Sequence, residues 1–394
     1  MSPTADATKK PGFFALSLLA NHFPQLHGIR VLAIVLVVQF HVTFALLDAR
    51  LPISAALGAW SATVFFGMDL FFVLSGFLIG TMILHAQSKS SRQHVLRFYA
   101  RRSFRIFPLY YVSLLALVFL YPLTPVRKSH LIYELTYLTN YLPVVRDNVI
   151  MSWGWSLCVE EHFYLIVPVL MALLHALKAH WARLSFLGAL WLSALVVRLT
   201  IFATSPVPWN EATFAQTLYI KTHTRYDTLV AGIVLAYLQY HFAPEIKAAL
   251  ARRPLRIFLW LVSGACLFVL LAPWVFPNPY VGRLVSWGTI TTIMYLPFLL
   301  IMMNVESRLA RWLSAGAFLR IATLGYGIYL WHVPVCEKLI IPLSRLIFGR
   351  LHWPMGAVWL ATLSLLMVAT TFAAYVSHIL VEKPALWLRD KVAG

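Results

Sequence analysis

Apolar residues run along this chain in long blocks separated by short polar clusters. Ten blocks, at about 29–48, 62–84, 106–122, 156–177, 185–204, 225–242, 257–276, 285–304, 318–340 and 355–380, are each long enough to cross a bilayer as a helix. The pattern predicts an all-α integral membrane protein: a bundle of about ten transmembrane helices over residues 29–380, with short segments 1–28 and 381–394 at its two ends. The longest pieces between blocks, 85–105 and 123–155, are too short to bury cores of their own. Within the second, the aromatics of HLIYELTYLTNYLP suit a helix lying at the interface. Residues 11–26 read as a short helix on the membrane surface rather than as a signal peptide, because no small-x-small cleavage site follows.

Composition agrees, with 60% hydrophobic and 12% charged residues and a mean hydropathy of +0.76. The net charge of +18 could suggest nucleic acid, but its distribution excludes that reading. Twenty of the 32 Lys and Arg fall in segments 1–28, 85–105, 178–184, 243–256, 305–320 and 381–394, and nine in the alternate segments. That bias predicts both termini in the cytoplasm. Cys158, Cys266 and Cys336 all lie inside apolar blocks at wide spacing, as packing residues rather than disulfide or zinc partners.

Against this background the ionisable residues inside the blocks stand out, since each is costly there. Arg30 and His41 are eleven residues apart in the first block. On a helix this is three turns plus about 20°, which puts both on one face about 16 Å apart. Asp69 lies in the second block, Glu160 and Glu161 in the fourth, Asp227 at the start of the sixth and His332 in the ninth. They can be read as lining a polar cavity with an imidazole for proton transfer, or as pairing to hold the helices together. Glu160 and Glu161 point about 100° apart and are not expected to face one cavity squarely. Gly76 and Gly80 form a GxxxG that permits close helix packing. In 85–105, Arg97, Arg101 and Arg105 recur every four residues with Arg102 beside them. They suit either a phosphate-bearing ligand or anionic lipid headgroups. An anion site at the cytoplasmic mouth with a base deeper in suits group transfer from a phosphorylated donor, and equally a proton-coupled transporter or flippase.

The ordered motifs HGIRVLAIVLVVQFH, GMDLFFVLSGFLIG, FYARRSFRIFPLYY, WSLCVEEHFYLIVP, RYDTLVAG, LGYGIYLWHVP and VEKP resemble the membrane-bound acyltransferase-3 family from about residue 26 to 384. The resemblance implies O-acyl transfer, usually of acetyl from acetyl-CoA, to a hydroxyl of a cell-surface or lipid-linked carbohydrate or a related acceptor. It also implies the cytoplasmic membrane of a bacterium, with acyl-CoA as co-substrate and no metal. His41 matches the essential histidine, Arg30 its partner, and Arg102 with Arg105 the donor-associated RxxR, to which we add Arg101. Glu160 and Glu161 match the acids of WSLxVEE, and Tyr329 and His332 the motif of the ninth block. The resulting expectation makes His41 the general base, with Glu160 or Asp69 orienting it. Glu161, Tyr329, His332 and Asp227 would then meet the substrate, and acylation of His41 itself is the variant mechanism. The chain departs from the family at His27, where many members carry Asp, and at Gly325-Tyr326, where Ser-Tyr is common. Some relatives also carry a C-terminal esterase-like domain; with 14 residues following position 380 none is expected here, and any later processing of the acceptor is expected to fall to another protein.

Overall fold

The computed structural model describes residues 16, 23–51, 53–86, 92–142, 148–206, 208–272, 281–348 and 353–393, so most of the expected surface helix at 11–26 lies outside the described residues. Those residues are helical almost throughout, with no strand among them. In chain order they form α1 (Gln25–Asp48), α2 (Ala55–Thr63), α3 (Gly67–Ala86), α4 (Arg92–Leu120), α5 (Pro125–Leu135), α6 (Trp155–Ala176), α7 (His180–Thr204), α8 (Glu211–Phe214) and α9 (Tyr226–Ala251). The remainder is α10 (Arg253–Leu271), α11 (Val281–Asn304), α12 (Arg308–Leu313), α13 (Gly316–Thr323), α14 (Gly325–Val335), α15 (Ile341–Phe348), α16 (Met355–Ser377) and α17 (Lys383–Ala393).

Nine stretches among the described residues are long and apolar enough to cross a membrane. The tenth expected span, 318–340, is built from pieces. α13 ends at Thr323, α14 follows, and a π-helical turn at Cys336–Ile340 leads into α15. The chain turns at Leu324 between α13 and α14, and Pro334, which lacks the N–H that would bond the carbonyl one turn earlier, immediately precedes the π-helical turn. The segment 85–105 is no separate element: α4 begins at Arg92 and runs unbroken through the arginines into the apolar block. The interfacial helix expected at HLIYELTYLTNYLP stops at Leu135, and Tyr137 adopts a left-handed φ of 57°. Its ring stacks on Tyr110 at 4.3 Å between centroids, which holds the turned backbone in place.

α1 lies inside the bundle, packed on α3, α12, α13, α14 and α16. The closest crossing joins α3 to α9. A Cβ on Gly76 would collide with the Leu229 carbonyl oxygen, and one on Gly232 with the Val73 oxygen, so the two backbones touch. Without a hydrophobic force between helices in lipid, such backbone contact supplies much of the attraction. At the outer segment, Glu134 on α5 is fully buried and accepts from the backbone N–H groups of Ile150 (3.1 Å) and Met151 (2.7 Å). This fixes the chain just before α6. Burial pushes its carboxyl above the usual range, against those two donors.

Two tests follow from this packing. Gly76→Leu or Gly232→Val should lose most folded protein by size exclusion in detergent, the cost exceeding the roughly 1–3 kcal/mol of ordinary overpacking. Gly80→Ala, which meets only the Ala236 side chain at 2.9 Å, should be milder. Because the folded carboxyl titrates above its ordinary value of 4.5, ionising Glu134 costs stability as pH rises past that value. Glu134→Gln should therefore gain in melting temperature over the parent as pH increases, while Glu134→Ala, which orphans two N–H groups, melts lower at every pH.

Candidate active site

Six helices, α13 contributing only Ala322, enclose a cavity of about 220 Å³. From α1 come His27 and Arg30, from α3 Ser75, and from α4 Arg102 and Arg105. α6 supplies Ser156, Glu160, Glu161 and Tyr164, and α14 supplies Gly325, Tyr326 and Tyr329. The cavity divides the expected arginine stripe: Arg102 and Arg105 on α4 line it, while Arg97 and Arg101, on the adjoining side of the same helix, are exposed. Both glutamates line the cavity despite their divergent Cβ directions, because it wraps around the first turns of α6 and their side chains are long.

The polar groups form a connected set. The Arg102 guanidinium lies 3.7 Å from the Tyr164 ring centroid. Tyr164 donates its hydroxyl proton to Glu160 Oε2 at 3.0 Å and sits 2.6 Å from the Ser75 hydroxyl. Tyr326 donates to the Ile106 carbonyl at 3.1 Å. Three buried atoms along this wall have no hydrogen-bond partner: His27 Nδ1, Arg102 Nε and Glu161 Oε2. Unsatisfied buried polar atoms are rare in folded proteins, and three around one cavity mark where a ligand's polar groups would be met.

Tyr329 closes the deep end. Its hydroxyl donates to the Trp153 carbonyl at 2.6 Å and is paired with the Ser156 hydroxyl. One turn further along α14, the Nδ1–H of His332 donates to the Tyr329 carbonyl at 2.6 Å. The His332 Nε2 is thereby left as an acceptor, 3.3 Å from His41 Nδ1. His41 Nδ1 also lies 2.9 Å from the Val37 carbonyl, an acceptor, so it is this nitrogen that carries the proton. The His41 Nε2 keeps its lone pair. Neither histidine lines the arginine cavity, so of the two α1 residues Arg30 reaches it and His41 does not. Beyond the pair, the π-helical turn carries Glu337, whose carboxylate accepts from the Tyr121 hydroxyl at 2.8 Å.

Asp69 and Asp227 are not in the cavity lining. Asp227 pairs with Arg198 at 2.8 Å and Asp69 with Arg225 at 3.1 Å, all four side chains fully buried. Trp287 Nε1 donates to Asp69 at 3.1 Å, and Arg198 donates to the Val285 and Thr224 carbonyls, both at 2.7 Å. The Arg225 guanidinium lies 3.9 Å from the Tyr219 ring centroid. This network joins α3, α7, α9 and α11. Arg198 lies inside an apolar block, where a buried cation needs a partner, and the sequence does not say which. Ser75, Ser156 and Tyr164 carry no distinguishing signal in the sequence, although all three sit inside the quoted motifs, and Tyr326 enters there only within the Gly325-Tyr326 departure. Among the described residues no three metal-binding side chains gather.

The acyltransferase-3 family, described as an acyltransferase domain, matches residues 23–378. A peptidoglycan O-acetyltransferase OatA of Listeria monocytogenes serovar 1/2a is 28% identical over 344 residues, covering 80% of this chain and 49% of that protein. An O-acetyltransferase OatA of Staphylococcus aureus is 23% identical over 387 residues, covering 92% of this chain and 57% of that protein. The chain thus spans about half the length of the curated relatives it matches. No solved structure matches it.

The two groups of carboxylates should respond differently to substitution. Asp69→Ala leaves a buried guanidinium uncompensated and should cost about 3–5 kcal/mol, read as lost folded yield and melting temperature in detergent. Glu161→Gln, on a cavity wall with one oxygen unpartnered, should melt close to the parent.

Proposed function

The chain belongs to the acyltransferase-3 family, and from that premise we propose that it is a membrane O-acetyltransferase, moving acetyl from cytoplasmic acetyl-CoA to a hydroxyl of a cell-surface or lipid-linked carbohydrate. The observation that carries this reading is one axis through the bundle: an arginine-lined cavity, then Tyr329, then a histidine pair with an imidazole lone pair available. In this reading the Arg30 end faces the cytoplasm of a bacterial cell, as do both chain termini, in keeping with the excess of Lys and Arg there.

Arg30, Arg102 and Arg105 suit the phosphates of CoA, since planar guanidinium forks bind phosphate oxygens bidentately. The apolar wall of Phe71, Phe72 and Leu74 suits the pantetheine arm, with Glu161 as acceptor for its amide N–H. Arg101, on the outward face, belongs to the membrane-surface charge. The thioester reaches the histidine pair past Tyr329. There the acceptor hydroxyl gives its proton to His41 Nε2 while its oxygen attacks the thioester carbonyl. The carbon–sulfur bond breaks, and CoA leaves as a thiolate that recovers the proton from the imidazolium. His332 accepts from the His41 Nδ1–H and orients the ring, the role expected of Glu160 or Asp69. Asp69 and Asp227 hold the frame, and Glu160 steadies Tyr164 under Arg102.

Purified protein supplied with radiolabelled acetyl-CoA and a glycan acceptor tests this. His41→Ala should lower transfer by at least about 10²-fold with donor binding unchanged. Arg102→Ala and Arg105→Ala should raise the KM for acetyl-CoA about tenfold or more, and His332→Ala should lower kcat alone. Wild-type transfer by folded His41→Ala would overturn the proposal. Substrate movement across vesicles without CoA release would identify a transporter instead. Rapid quenching without acceptor separates the direct path from the relay, because only an acyl-histidine leaves a label on the protein.

A further inference from the structure

A second cavity, of about 250 Å³, opens at the same end of the bundle as Arg30 but shares no lining residue with the first. It lies between the last turns of α3 and α6, the first turn of α7 and the far half of α9. α9 breaks directly beside it. Phe242 has φ −133° and ψ 24°, and Pro244 lacks the N–H that would have bonded the Tyr240 carbonyl. The break ends the wall formed by Tyr237, Tyr240 and His241, and leaves the cavity open at the bundle's end.

The lining divides by chemistry. Leu84, Met171 and Leu174 make an apolar floor, while Arg183, His175 and His241 make a basic rim that contains no carboxylate. The Arg183 Nε–H donates to the Leu177 carbonyl at 2.7 Å, which aims the guanidinium and leaves its two terminal nitrogens for a ligand. His180 adjoins the rim, its Nδ1 2.6 Å from the Tyr237 hydroxyl and its ring 4.9 Å from that of His241. These histidines do not form a metal-binding group among the described residues. Around the opening the surface is apolar and suited to acyl chains: Trp181 is 74% exposed and Leu173 53%.

We propose that this cavity binds the headgroup of an anionic phospholipid, its phosphate on Arg183 with His175 and His241, and the start of an acyl chain on Leu84, Met171 and Leu174. Guanidinium and imidazole donors without a competing carboxylate select a phosphate oxygen. The apolar floor beside them selects a lipid over a soluble phosphate, which would leave it wet. The position, at the end where this chain concentrates Lys and Arg, is where anionic headgroups gather if that end faces the cytoplasm.

Native mass spectrometry of the detergent-solubilised full chain, titrated with dioleoyl-phosphatidylglycerol or dioleoyl-phosphatidylcholine, provides the test. One equivalent of the glycerol lipid should be retained in preference to the choline lipid. Arg183→Gln should weaken that retention about tenfold while its lipid-free melting temperature stays at the parent value. His241→Gln gives a second variant on the same rim should Arg183→Gln fold poorly. Arg102→Gln, in the other cavity, should leave the retention unchanged. Equal retention of both lipids, undiminished retention in a folded rim variant, or loss in Arg102→Gln instead would each overturn the site. Displacement of the lipid by millimolar inorganic phosphate would assign a soluble phosphate and overturn the lipid.

Discussion

A guanidinium taken into an apolar bundle costs several kcal/mol unless a carboxylate and further acceptors meet it. Arg198 and Arg225 are both fully buried here, and each is met by an aspartate and by backbone carbonyls. These contacts tie α3 and α11 to α9 and α7. The backbone contact between Gly76 and Gly232 can form only with those helices in register. With α3 held on that side, its opposite face is set toward α1 and α6, and Ser75 reaches Tyr164 across the cavity.

The bundle therefore contains two populations of charge with different physical tasks. In the frame, every cation has an anion, and the cost of removing one partner falls on folding. In the cavity, Arg30, Arg102 and Arg105 outnumber Glu160 and Glu161, and several polar atoms are buried without partners. Such a surplus is tolerated only where a ligand of opposite charge can relieve it. The two groups are thereby distinguished by charge balance rather than by residue type: paired one to one in the frame, in cationic excess at the cavity.

Tyr329 gives the site its direction. Its hydroxyl is tied to α6 through Ser156 and the Trp153 carbonyl, and its own carbonyl anchors His332. One residue thus bounds the arginine cavity and fixes the tautomer of the histidine pair beyond it. The π-helical turn that follows α14 carries Glu337, whose carboxylate meets the Tyr121 hydroxyl.

Hydropathy and the 3.6-residue period are local properties, so the sequence alone determined the all-helical membrane class, nearly all the spans, and the common face of Arg30 and His41. The ordered motifs likewise pointed to the family. What required the tertiary structure was the assignment of partners. Asp69, Asp227, Glu160 and Glu161 look alike along the chain, yet two close ion pairs and two line a cavity, because that choice depends on which helices cross and at what depth. The same holds for Arg101 and Arg102, adjacent in sequence and opposite in exposure. It holds too for His332, whose hydrogen bond to His41 spans 291 positions. Burial cost is legible one residue at a time, whereas the group that offsets it is a property of the packed bundle.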